Sequence, residues 1–195
     1  MRSGDIDTWL AELGLEPVEH DEREGVASWD LILDGRRRHD IRVTLILDPN
    51  LAFVAWVHYA PPLNDTFRVS YRQFLRWNDE IPFAKFAISE DDRPVLTTEI
   101  PIDRLDRDAL GLAVARLVAI CDLLFAESGR WLWPRAKSPP VPTRPSRHAA
   151  LLERYAAHLA ELQPPDAAHD AVADSAREGY GAVGLAAPDQ RTPPD

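Results

Sequence analysis

Apolar residues recur along this chain first at helical spacing, then at every second position, then at helical spacing again, and each change of period marks a change of element. Ile6, Trp9, Leu10 and Leu13 share one helical face and Gly14 follows as a stop, which predicts a short first helix. Trp29, Leu31 and Leu33 then alternate with polar neighbours, as Ile41, Val43, Leu45 and Leu47 do with Asp40, Arg42 and Thr44. Successive side chains of a strand point to opposite faces, so this alternation predicts two half-buried strands. The Asp34-Gly35 step between them marks a hairpin. A third run at 51–59 follows the turn residues Asp48-Pro49-Asn50 and completes an antiparallel meander.

Beyond Pro61-Pro62, Tyr71, Phe74, Leu75 and Asn78 give a helical face that ends before Pro82, with Asn78 suited to the left-handed turn that closes it. Residues 83–89 and 95–100 flank the charged loop Glu90-Asp91-Asp92-Arg93-Pro94 and predict a second hairpin. From about 106 to 127, Leu110, Val114, Leu117, Val118, Cys121, Leu124 and Phe125 form the apolar stripe of the longest helix. The predicted order is α-β-β-β-α-β-β-α, an α+β fold with an antiparallel sheet packed on helices.

The same alternation that turns Trp29, Leu31, Leu33, Ile41, Val43, Leu45, Phe53, Val57 and Tyr59 towards the helices sends Ile32, Ile46, Val54 and Trp56 to the other face. A solvated sheet face has no use for these residues, and a contiguous apolar patch marks an interface. The four are therefore candidate partner-binding residues, with cover by the chain's own C-terminal helix as the other reading. Leu112, Ile120 and Leu123 lie off the main stripe of the longest helix and leave a narrow polar edge at Asp108, Arg116 and Asp122. This second apolar face predicts a homodimer with those three residues at its interface.

Composition divides the chain near Trp133. Ten of the seventeen prolines and none of the six tryptophans fall in the last 62 residues. Residues 1–133 are read as the folded domain, and 134–195 as a proline-rich spacer, a short amphipathic helix at about 146–163 and a polar tail. Of the formal charge of −10, residues 1–133 carry 15 basic and 24 acidic side chains, a balance of −9. That argues against nucleic acid, which needs a basic face. The polar, acidic first residues and the charges that interrupt every apolar run predict neither export nor a membrane span, and one cysteine makes no disulfide, so a reducing cytoplasm is expected. Twenty arginines against two lysines reflect a GC-rich genome rather than arginine chemistry.

Candidate chemistry is thin. Gly179-Tyr180-Gly181-Ala182-Val183-Gly184 spells GxGxxG, but eleven residues remain after it, too few for the helix and strand of a dinucleotide site. Residues 183–190 resemble the first motif of peptide deformylases with Asp189 inserted, and no metal-binding His-Glu-x-x-x-His helix accompanies them. The histidines at 20, 39, 58, 148, 158 and 169 lack ligand spacing within one helix and are read as solvent-exposed. Cys121 reads as a core thiol, Asp79-Glu80 and Asp91-Asp92 as solvated turns, and Arg36-Arg37-Arg38 as charges that discourage edge-to-edge pairing. No metal or cofactor is expected.

The stretch Phe74-Leu75-Arg76-Trp77-Asn78-Asp79-Glu80-Ile81-Pro82-Phe83-Ala84-Lys85-Phe86, followed by a charged hairpin, a strand ending in Ile-Pro and the long helix, resembles the YbjN-like family of the type III secretion chaperone-like fold. The resemblance spans about residues 5–130. It implies dimerisation and binding of partner segments, and it brings no catalytic residues. The expectation is a non-enzymatic protein-binding domain, a chaperone or regulatory adaptor, whose partner is a protein or peptide segment. The alternative is a small hydrolase assembled from His58, Asp30 or Ser70, for which no glycine-flanked nucleophile is present.

Overall fold

The computed structural model describes residues 2–62, 68–128 and 142–162 of the 195. The boundary expected after Trp133, the GxGxxG and deformylase-like runs, His169 and the polar tail beyond Pro165 lie outside the described residues.

The first helix, α1 (Ser3–Glu12), buries Ile6 and Leu10 and gives way to Gly14 at φ 70°, the left-handed conformation that glycine adopts without steric cost. The Trp29 indole N–H donates to Asp7 Oδ1 at 2.7 Å and ties this helix to the sheet. Strands β1 (Glu19–Arg23), β2 (Val26–Leu33), β3 (Ile41–Asp48), β4 (Ala52–His58), β5 (Lys85–Ile88) and β6 (Pro94–Pro101) form one antiparallel sheet in the order β1-β2-β3-β4-β6-β5. The predicted meander is β2-β3-β4 and the predicted second hairpin is β5-β6.

β1 adds a strand to the predicted order. Glu19-His20-Asp21-Glu22-Arg23 shows no apolar alternation because it is the sheet's edge, with all five residues exposed. Its legible signal is Glu24-Gly25, both at positive φ (54° and 81°), the backbone of a two-residue hairpin turn. A charged edge of this kind resists pairing with another sheet.

The facing of the central strands follows the alternation. All nine residues expected to point towards the helices are buried, joined by Leu47, Ala55 and Leu96. α2 (Arg68–Glu80) places Phe74 and Trp77 against Tyr59 and Phe86, with Tyr59 edge-on to Phe86 at 5.1 Å and Phe74 stacked on it at 4.8 Å. Asn78 lies inside α2 rather than closing it. Its side-chain amide accepts the Phe86 N–H at 2.6 Å and donates to the Phe86 carbonyl at 3.0 Å. An edge strand leaves backbone groups unserved by the ladder, and a carboxamide can serve a donor and an acceptor together.

After a 3-10 turn at Ile102–Arg104, α3 (Arg107–Ser128) packs on α1, β4 and β6. Cys121 is wholly buried in it, as expected, and burial pushes its thiol up to about 11, so it stays neutral and inert. The helix expected at 146–163 is two short ones, α4 (Ala149–Arg154) and α5 (Ala156–Leu159), broken at Tyr155. Both pack on α3, and Met1–Pro164 form one compact unit. Gly111 admits this contact, since a Cβ there would run into the Tyr155 ring.

The docking of α4 and α5 changes the picture of the predicted dimer face. Ile120 is completely buried inside the chain, Leu112 packs half-buried against the core, and Leu123 lines a groove between α3 and α5. Leu151, Leu152 and Tyr155 bring apolar surface to α3 from the same chain, which covers part of this side of the helix and leaves Leu123 in the groove.

Candidate functional site

The outer face of the sheet carries the four residues singled out for partner binding, all half-buried. Ile46 and Val54 are directly paired between β3 and β4, and Trp56, two residues along, is paired with Thr44. Ile32 stands apart, opposite Arg42 at the far end of β2. The sheet therefore brings Ile46, Val54 and Trp56 into one patch and leaves Ile32 outside it.

Two polar atoms on this face lack partners. Trp56 Nε1 and His58 Nδ1 are shielded from solvent with no hydrogen bond among the described residues, and their rings lie 6.1 Å apart. A shielded donor without an acceptor costs about 1–3 kcal/mol. Strand pairing puts Glu19, Asp21, Asp30, Asp48 and Glu99 on the same face, against Arg23, Arg42 and Lys85. The rim of the patch is thus acidic on balance.

The residues of the hydrolase alternative do not converge. Asp30 accepts the Thr44 hydroxyl at 2.6 Å on the outer face, and His58 is two strands away, a separation of about 10 Å at the usual strand spacing. Ser70 is buried in α2, which packs on the opposite side of the sheet.

A second cluster forms where the β2–β3 loop meets the C-terminal segment. Asp34, expected as an ordinary turn residue, is fully buried and accepts hydrogen bonds from Arg147 Nε at 2.7 Å and Nη2 at 3.0 Å, from both Nη atoms of Arg144, and from the Asp40 N–H at 3.0 Å. Its N–H donates to His148 Nδ1 at 3.0 Å, and its carbonyl accepts the Ser146 hydroxyl at 2.9 Å. The Arg147 hydrogen bonds, with lesser help from Arg144, hold its carboxyl well below the usual range against the opposing effect of burial. Arg36-Arg37-Arg38 does not guard a sheet edge. It sits in the loop joining two inner strands, and its three backbone N–H groups donate to the carboxylate of Asp122, at 2.9 Å for Arg37 and 2.8 Å for Arg38. Nor is His148 the solvated histidine expected; it is half-buried and acts as an acceptor.

That acceptor role makes the clasp sensitive to pH. Burial holds His148 below its ordinary value, so the unfolded chain takes up a proton first and stability falls as pH drops below about 6.5. Asp34, whose value is depressed, keeps its contribution until pH falls below about 4, so the two losses are separated. Thermal melts between about pH 7.5 and about pH 5 should show the native protein losing stability relative to His148→Gln, which has no titrating ring. Parallel curves would exclude His148 as the origin.

Among the described residues, no helix is long and apolar enough to cross a membrane. A family profile named YbjN and described as "Putative bacterial sensory transduction regulator" matches residues 4–130. Among solved structures, the chain is similar to the Yersinia pestis type III secretion chaperone SycH, crystallised in complex with a stable fragment of YscM2. The identity is 22%, the match covers 61% of this chain and 95% of that one, and the TM-score is 0.45. A search of curated proteins returns no match.

Proposed function

The chain belongs to the YbjN family, and from that premise we propose that it acts as a regulatory adaptor that binds a partner protein on the outer face of its sheet. The observation that carries this reading is the contiguous patch of half-buried Ile46, Val54 and Trp56 on the outer face of the sheet. Its chemistry specifies the ligand. The partner segment offers apolar side chains to the patch and basic residues to the acidic rim. Dimerisation through Leu112, Ile120 and Leu123 is no part of this reading, because Ile120 is buried within the chain.

Trp56→Glu tests the proposal. Because Trp56 is half-buried on an outer face, the new carboxylate keeps contact with water and the protein is expected to stay folded. Short peptides with two apolar residues between lysines serve as probes, read by NMR shifts of the Ile46 and Val54 amides and the Trp56 indole N–H. The native protein should show saturable shifts of all three signals, and the Ile46 and Val54 shifts should be lost in the variant. Unfolding of Trp56→Glu would make Trp56 a core residue. Unchanged binding in a folded variant would remove the outer face from the function.

A further inference from the structure

Between α3, the β2–β3 loop and the α4–α5 pair lies a groove of about 410 Å³, within the size range of small-molecule sites. Ala119 and Leu123 of α3 form one wall, and Leu152, Ala156, Leu159 and Leu162 form the other. Arg36, Arg37 and Asp122, joined by hydrogen bonds from the loop backbone to the carboxylate, supply the charged part of the lining. Asp122 already accepts three backbone N–H groups, so its charge is satisfied by the loop rather than presented to a ligand. Those same bonds fix the backbone from which the two arginines project, and Gly35, where a Cβ would land on the carboxylate, permits the close approach. Neither guanidinium has an ion pair among the described residues. In a chain of net charge −10, a basic loop beside an apolar groove favours an anionic guest with an apolar body.

We propose that this groove binds a free amphiphile with a single apolar chain and an anionic headgroup, of which a medium-chain fatty carboxylate is the simplest. The chain lies between α3 and α5 and the headgroup sits at Arg36 and Arg37. A guest so placed touches both walls, so its binding holds α5 on α3. The site is separate from the outer sheet face, and the two readings fail independently.

Dodecanoate, used below its micellar concentration, is the probe, with isothermal titration of the full chain as the readout. Saturable 1:1 binding is expected, with the cationic dodecyltrimethylammonium binding at least about tenfold more weakly. The exposed pair Arg36→Gln/Arg37→Gln should fold normally and lose at least about tenfold in affinity for dodecanoate. Ala119→Phe should abolish binding by filling the groove. Equal binding of the two amphiphiles, an unaffected arginine variant, or absence of saturable binding would each overturn the proposal. Sedimentation with anionic phospholipid vesicles that depends on the two arginines would assign them to a membrane surface instead, and would overturn it equally.

Discussion

Asp34→Asn is expected to destabilise the protein by about 3 kcal/mol and to release residues 142–162 from α3. The carboxylate is fully buried, and four guanidinium N–H donors from Arg144 and Arg147 converge on it. An asparagine of the same shape turns an NH₂ group towards donors that need an acceptor. Removing one member of a buried charge pair costs about 3–5 kcal/mol where both charges are dry. Here the arginine side chains are 42% and 51% exposed and can rehydrate once freed, which places the cost at the lower end. Asp40 accepts from the same two arginines at 2.9 Å each but is 68% exposed, so Asp40→Asn should change stability by less than about 1 kcal/mol. Urea melts give the energies. Tryptic cleavage after Arg147 and Arg154, faster in Asp34→Asn than in Asp40→Asn, reports the release, and equal rates would show that the clasp does not hold the segment.

Asp122→Ala carries a comparable penalty, again about 3 kcal/mol, because three consecutive backbone donors lose one charged acceptor together. Gly35→Ala attacks the same contact from the other side, since its Cβ would collide with the Asp122 carboxylate. The two substitutions are therefore expected to be strongly non-additive. Gly35→Ala should destabilise the native background by about 1–3 kcal/mol and be nearly silent in Asp122→Ala, where the obstacle is gone. Additive costs in the double variant would mean that the loop and α3 are held together by something other than this carboxylate.

The element order and the facing of the central strands were legible in the sequence because periodicity is local. Side chains of a strand alternate and those of a helix recur every three or four residues, so Ile46, Val54 and Trp56 could be placed on the outer face from their spacing alone. Where the local signal fails, the reading fails with it. β1 is a charged edge with no apolar alternation, and Asn78 reads as a helix cap because its real partner, Phe86, lies across a turn. The contacts of Asp34 and Asp122 are of another kind. Asp34 reads as half of a turn, Arg36-Arg37-Arg38 as charges that discourage edge pairing, Asp122 as a polar edge, Arg144 as part of a proline-rich spacer and Arg147 as part of the short helix after it. What joins them are hydrogen bonds between residues 84 to 114 positions apart. Likewise, the apolar stripe of residues 151–162 shows that a helix seeks cover, while only packing decided that the cover is α3 rather than the sheet or a second copy. The sequence alone determined which side chains share a face, since backbone geometry fixes that within a few residues. Which faces and charges meet depends on where distant segments come to rest, and that only the folded chain decided.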